Sequence, residues 1–597
     1  MSTVVERIRT LRETMQQHRI DAWIIPTADP HLSEYLPEHW QSRVYFSGFT
    51  GSAGTLVVTA KQAGLWADSR YWEQAAQQLS GSGITLQKLG AVPNYTEWLS
   101  QHLPEQAVVG IAPDMLSLNA KQQLLSAFAD RHILLQHDQD IAANVWPQRP
   151  TLPSSTIFVH NPEYVAESAA AKLNRIRSFM HQQGVAHHLV SSLDDIAWIT
   201  NLRGSDVSYN PVFLSFLLIS HNRATLFLVD QQQLNEEARQ LLAEAQIGTA
   251  DYQDAAAALA QLSGGLMIDP ARTAVSTLQY LPKDLKTVEH INPSTLFKSI
   301  KSSADLAHIR TTMAQDGAAL CGFFAEFERK IAAGEAVTEL DVDTMLLAHR
   351  SRRNGFVSPS FGTIAGFNQN GALPHYSATP EAHSVITGNG LLLIDSGGQY
   401  QGGTTDITRV IPIGTPSEEQ KRDFTLVLKA HIALATTIFP ENIPGPMLDA
   451  ICRKPLWQAQ CNYGHGTGHG VGYFLNVHEG PQTIAYMAPV NPNHAMKAGM
   501  ITSNEPGLYR PGKWGIRIEN LVANVPVDSP AETEFGNYLR FETLTLCPID
   551  TRLIEKTLLT AEETDWLNSY HAEVREKLLP LVEGEAKAWL DAQTQSI

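Results

Sequence analysis

Three histidines and five glycines fall within the sixteen residues from Tyr463 to His478, in the run Tyr463-Gly-His-Gly-Thr-Gly-His-Gly-Val-Gly472 that continues to His478-Glu-Gly-Pro481. Glycine has no side chain to bury and costs backbone entropy, so this is a poor core segment. It suits a place where backbone comes close to a metal or a ligand. Four acids extend it to a set. Asp395 ends the apolar run Leu391-Leu-Leu-Ile394, and Asp406 sits in the strand pattern Thr404-Thr-Asp-Ile-Thr-Arg-Val410, on one face with Thr408. Glu505 follows Gly499-Met-Ile-Thr502 and is pinned by Pro506-Gly507, while Gly515-Ile-Arg-Ile-Glu-Asn520 reads as an alternating strand with Arg517 and Glu519 opposite Ile516 and Ile518. These acids with His469 form a mainly oxygen donor set, better suited to Mn(II), Co(II), Fe(II) or Zn(II) than a thiolate-rich zinc site. Close carboxylates repel unless a cation or a shared proton intervenes. Four negative charges favour two divalent ions, whose natural chemistry is the activation of water. A capped strand end or a surface ion pair explains any one acid alone, but not the whole set together.

His375 and His478 are not needed as ligands. Either is a plain core histidine or, beside such a centre, a donor to a carbonyl and the oxyanion formed from it. The role of His465 stays open, because Gly-Thr-Gly between it and His469 makes a helix improbable. The glycine run does not match G-x-G-x-x-G and has no strand-then-helix frame, which removes the dinucleotide reading.

These residues need a scaffold, and the patterns around them supply one. Helical spacing predicts a long helix over Ala304–Ala332, with Thr338 capping the next; the chain is then rich in Gly, Asn and short strands to about 546, and helical again over 556–591. Upstream, a helix over 4–19 precedes a strand at Ala22–Ile25, a strand pair at Thr55–Thr59 and Gly64–Asp68, helices around 88–104 and 117–129, and strands at 107–111 and 131–135. A weak repeat pairs Arg7-Ile-Arg9 with Arg175-Ile-Arg177, and Tyr45–Gly51 with Trp198–Gly204, before the strands Leu65-Trp66 and Leu226–Val229. Two related α/β domains, 1–154 and 155–301, are expected ahead of a third over 302–597 with a helical extension. His181, His187 and His188 lack a carboxylate cluster and read as solvated or hydrogen-bonded histidines.

With 597 residues the chain needs several cores. Its formal charge of -17 disfavours nucleic acid and anionic membranes as partners. The four cysteines have neither zinc-finger nor paired-disulfide spacing, the start is charged without an apolar leader, and no apolar run reaches 18 residues. A soluble, cytoplasmic protein is expected.

The chain resembles the aminopeptidase P proteins, the Xaa-Pro aminopeptidases of the methionine aminopeptidase and prolidase superfamily, over nearly its whole length. The motifs that carry this are Ser47-Gly-Phe-Thr-Gly-Ser-Ala-Gly54, Leu393-Ile-Asp-Ser-Gly397, Thr404–Arg409, Gly464–Gly470, Val477-His-Glu-Gly-Pro481, Ser503-Asn-Glu-Pro-Gly507 and Ile516-Arg-Ile-Glu519. The resemblance is to the long, three-domain form. It implies a C-terminal pita-bread catalytic fold with Asp395, Asp406, His469, Glu505 and Glu519 as ligands of two divalent ions, usually Mn2+. It also implies substrate-side histidines at His375, His465 and His478, with Arg517 supporting the ligands. The implied reaction removes the N-terminal residue from peptides with proline second, by a hydroxide activated between the ions, with Glu505 relaying a proton to the leaving nitrogen. A homodimer is implied as well. Prolidase is the nearest alternative, disfavoured by the extra N-terminal domain; a ligand-deficient binding protein is disfavoured by the complete acid set.

Overall fold

The computed structural model describes residues 3–528, 532 and 534–597. It divides into two units, Met1–His160 with Glu167–Thr295, and Asn161–Ala166 with Leu296–Ile597.

The first unit contains two six-stranded sheets built alike. From edge to edge, the first sheet runs Thr85–Lys88, Ala63–Ala67, Thr55–Thr59, Ala22–Pro26, Val108–Ile111, Leu134–Gln136. The second runs Ile247–Asp251, Ala224–Leu228, Ser215–Ser220, His187–Val190, Leu266–Ile268, Thr287–Glu289. In both, the third and fourth strands and the second and third pair antiparallel, and the other neighbours pair parallel. A helix precedes the fourth strand of each, Thr3–Gln17 and Ala169–Gln182. The faint sequence repeat is thus a repeat of topology. One expectation needs correction: residues 88–104 are not one helix. Lys88 closes an edge strand and the helix is only Tyr95–His102, because Pro93 cannot continue a helix and the Asn94 side chain accepts from the amides of Thr96 and Glu97. His187 bonds Ser220 Oγ and the Ser263 carbonyl, and buried His188 the Met267 carbonyl.

The second unit is organised on the helix Ser303–Ala332, capped by a reciprocal Ser302–Asp305 pair; Thr338 caps Glu339–Arg350 in the same way. The strand Gly390–Ser396 is buried along its whole length and alternates between two cores. Leu391 and Leu393 face one with Val427, Ile516 and Ile518; Leu392 and Ile394 face the other with Phe323 and Phe327. It pairs antiparallel with Ile364–Phe367 and Ile407–Ile413. Beside this lies a six-stranded sheet in the order Ile438–Pro440, Tyr538–Thr543, Asn520–Pro526, Ile501–Asn504, Gly468–Gly470, Glu479–Ile484. The C-terminal stretch forms two helices, Ala561–Leu578 and Gly584–Gln593, broken at Pro580, and Trp589 stacks on Phe324 at 5.2 Å between ring centroids.

Candidate active site

The chain doubles back between the two aspartates. Ser396 pairs with Ile407 and Asp395 with Thr408, so the strands bring Asp395 beside the approach to Asp406. Asp406 itself is not on a continuous strand. The segment splits into Gly403–Thr404 and Ile407–Ile413, and the break is fixed by Ser360 Oγ donating to the Thr405 carbonyl and Gly398 N–H donating to Thr405 Oγ1 at 2.9 Å. Nor is Gly515–Asn520 one strand. Trp514–Arg517 belongs to a hairpin with Gly507–Arg510, and the chain crosses into the six-stranded sheet at Ile518–Glu519. The alternation survives that crossing, with Ile516 and Ile518 in the core and Arg517 and Glu519 facing the site. The crossing is held by Glu519 N–H donating to the Thr408 carbonyl at 3.2 Å and by Arg409 Nη1 donating to the Glu519 carbonyl at 2.7 Å. Glu505 follows Ile501–Asn504, its amide donating to the Thr467 carbonyl at 2.8 Å.

His469 lies on the short strand Gly468–Gly470. Its Nδ1 is 2.9 Å from the Gly470 carbonyl, which can only accept, so the proton sits there and Nε2 is turned to the acids. Nε2 is 3.5 Å from Asp406 Oδ2 and 3.5 Å from Glu505 Oε1. The ligand-type atoms of Asp406, His469 and Glu519 lie within 4.8 Å of one another, the one such group of three among the described residues. Asp395 Oδ1 and Asp406 Oδ1 are buried without a hydrogen-bond partner. Burial, opposed by Arg517 and reinforced by Asp406, pushes Asp395 up to about 7; burial also raises Glu505, and raises Glu519 well above the carboxylate range with Asp406 adding to it. Burial alone lowers a histidine, yet Asp406 and Glu505 hold His469 up to about 9. Crowded carboxylates with orphaned oxygens around an available imidazole nitrogen are what a divalent-cation centre requires, so the residues fit the metal pair expected of them.

Beside this centre Arg517 makes four hydrogen bonds. It donates to Asp395 Oδ2 at 2.5 Å, Thr408 Oγ1 at 3.0 Å, Tyr509 Oη at 2.7 Å and the Pro374 carbonyl at 3.4 Å. Thr408 passes its own proton to Glu519 Oε2 at 2.8 Å. Sequence reasoning missed Tyr509, four residues beyond Glu505 on the hairpin. It settles the geometry of His465: Nδ1 faces the Gly466 carbonyl at 2.8 Å, so Nε2 accepts from Tyr509 Oη at 2.8 Å. A hydrogen-bonded chain thus runs from Asp395 through Arg517 and Tyr509 to His465. The His478 ring stands 4.3 Å from that of His469, edge to face. His375 is half-buried in the loop after Ile364–Phe367, next to the Pro374 carbonyl that Arg517 holds. Also unforeseen were the buried neighbours Asp449 and Arg453. Arg453 holds the Tyr463 and His465 carbonyls at 2.7 and 2.6 Å and so shapes the glycine run.

Comparison with known proteins identifies the family of the chain. Residues 307–524 match the model of metallopeptidase family M24 and 537–597 that of the C-terminal region of peptidase M24; residues 7–142 and 148–305 each match a creatinase/prolidase N-terminal domain. Aminopeptidase P2 of Arabidopsis thaliana is 38% identical, with 100% of this chain and 89% of that protein aligned. Xaa-Pro aminopeptidase 1 of Dictyostelium discoideum is 36% identical over 97% and 94% of the two chains. The crystal structure of X-prolyl aminopeptidase from Caenorhabditis elegans, described as a cytosolic enzyme with a di-nuclear active site, superposes with a TM-score of 0.95 at 29% identity over 100% of both chains. With family matches along the chain and relatives of this identity over its full length, the protein belongs to the aminopeptidase P family of M24 metallopeptidases.

Proposed function

We propose that the protein is an Xaa-Pro aminopeptidase that releases the N-terminal residue from peptides with proline in second position, using two divalent ions held by Asp395, Asp406, His469, Glu505 and Glu519. The observation that carries this is the convergence of Asp406, His469 and Glu519 beside buried, unpartnered carboxylate oxygens of Asp395 and Asp406. When bound, the ions polarise the scissile carbonyl and make water a nucleophile at neutral pH. Mn2+, the ion that the family resemblance implies, is among those that this oxygen-rich set with one imidazole suits. The chain's own groups do the rest. Asp406 helps to hold the free amine of the substrate. Glu505 takes the proton of the attacking water and delivers it to the leaving proline nitrogen. His375 and His478 donate to the substrate carbonyl and to the oxyanion that develops from it. Arg517 fixes Asp395, and through Tyr509 it orients His465 with Nε2 as acceptor.

The boundaries 1–154, 155–301 and 302–597 are supported by the two matched sheets and by family matches that change over between 142 and 148 and between 305 and 307. A cytoplasmic setting is supported by four free cysteines and by the cytosolic relative; no helix among the described residues is long and apolar enough to cross a membrane. A homodimer is supported by exposed apolar side chains on and around the helix Asp449–Gln458. Met447, Ile451 and Trp457 are exposed there, as are Tyr486, Met487 and Val490 of the loop after the strand Glu479–Ile484, with the Trp457 and Tyr486 rings 6.5 Å apart.

The test is product analysis after chelation and Mn2+ re-addition with Arg-Pro-Pro, Ala-Pro and Met-Ala-Ser. Metal-dependent release of Arg from the first, with the last untouched, is expected. Cleavage of Ala-Pro alone would make it a prolidase, and no cleavage at any metal concentration would refute the hydrolase reading.

A further inference from the structure

Glu339 is the first residue of the helix Glu339–Arg350 and its side chain is buried. It accepts five hydrogen bonds, all from one stretch of chain. Phe367 N–H donates to Oε1 at 2.7 Å, Ser384 N–H to Oε2 at 2.7 Å and Tyr376 O–H to Oε2 at 2.9 Å; Asn370 Nδ2 reaches both oxygens, at 3.0 and 3.1 Å. The donors mark the beginning, middle and end of the loop that carries His375. Tyr376 is the residue directly after His375, and burial with the adjoining carboxylate raises its pKa, so it keeps the proton it donates. The ends of the loop are stitched as well, by Val337 pairing with Ile386 and Thr338 with Val385, and by Glu339 N–H donating to the Ser384 carbonyl at 3.1 Å. On its other side the loop is held by Arg517 at the Pro374 carbonyl. The donors are uncharged; the helix N-terminus supplies further stabilisation for the anion.

A carboxylate committed so completely to one loop has a geometric purpose. We propose that Glu339 is a positioning residue for the reaction, which gathers the loop 367–384 and holds His375 where it meets the substrate carbonyl. This rests on the substrate-side role of His375 argued above. Phe367 N–H and Ser384 N–H donate to different oxygens of Glu339, so whichever way an amide is turned its NH2 group opposes one of the two, and Glu339→Gln loosens the loop without changing side-chain size.

The test is a double-mutant cycle with Arg-Pro-Pro as substrate and full-length enzyme, comparing Glu339→Gln, His375→Ala and the two together, with Mn2+ content and melting temperature measured for each. Glu339→Gln is expected to lower kcat about a hundredfold, the scale of a displacement near 1 Å, with KM and bound Mn2+ unchanged. The double variant is expected to be no slower than His375→Ala, because the same contribution is lost only once. Multiplying effects, or a folded Glu339→Gln enzyme with wild-type kcat, would overturn the proposal while leaving the role of His375 intact. A fully active His375→Ala enzyme would instead remove the reading on which it rests. If Glu339→Gln does not fold, Tyr376→Phe deletes one donor only and enters the same cycle, with a loss of about tenfold expected and the same criterion of non-additivity.

Discussion

His469 shows how little freedom one residue in such a site has. Its Nδ1 is committed to the Gly470 carbonyl, and its Nε2 faces two acids at equal distance. Its elevated pKa and those of Asp395, Glu505 and Glu519 lead to one pH dependence. Each of these groups holds a proton in the folded, metal-stripped protein over a range where the unfolded chain has lost it. For the acids that range begins near pH 4 and extends for Asp395 to about 7; for His469 it runs from about 6.5 to about 9. Where the native state binds more protons, stability falls as pH rises. The chelated protein is therefore expected to lose thermal stability steadily from pH 5 to 8, and the melting shift caused by Mn2+, which displaces those protons, to grow over the same range. A Mn2+ shift that shrinks with rising pH would contradict this. The five ligand-type residues stood out in the sequence because each ends an apolar run, sits in a strand pattern or interrupts a glycine-rich run. Tyr509 and Glu339 were not, because their partners lie 8 to 45 residues away at no regular spacing.

At the scale of elements, two glycines explain the composition that first marks the site. A Cβ on Gly468 would run into the Ser503 carbonyl, and one on Gly470 into the Glu479 carbonyl and Gln482 Nε2. Backbone on both sides of the strand Gly468–Gly470 is thus too close for any side chain, which seats His469 between the strands Ile501–Asn504, followed by Glu505, and Glu479–Ile484, preceded by His478. Gly466 is less constrained, meeting Ala485 Cβ at 3.1 Å. Gly470→Ala is expected to cost about 1–3 kcal/mol of stability, as overpacking does, and to weaken Mn2+ binding by shifting His469; an unchanged melt and an unchanged Mn2+ titration would show that the strand has room to move. The sequence pattern located these strands but drew two of them too long. Asp406 and Glu519 fall at breaks between strands, and such breaks are set by tertiary hydrogen bonds from Ser360 and Arg409 that no local pattern carries. The helix drawn too long over 88–104 has a local cause that was readable, Pro93 followed by the capping Asn94.

For the whole molecule, the long N-terminal half is two copies of one sheet topology, visible in sequence only as a few aligned residues because many side chains satisfy the same strand order. The exposed apolar group around Trp457 gives the assembly prediction. Trp457→Glu places a charge where a second copy would pack, and light scattering is expected to show the wild type at the mass of two chains and the variant at one; a monomeric wild type would contradict the dimer. The central claim, that paired ions held by these five residues hydrolyse Xaa-Pro peptides, is tested most directly by Asp395→Asn, assayed for bound Mn2+ and for release of Arg from Arg-Pro-Pro. Loss of about one ion per chain and a fall in kcat/KM of about a thousandfold, or about 4 kcal/mol of barrier, is expected. An Asp395→Asn enzyme that keeps both ions and near-full activity would contradict it.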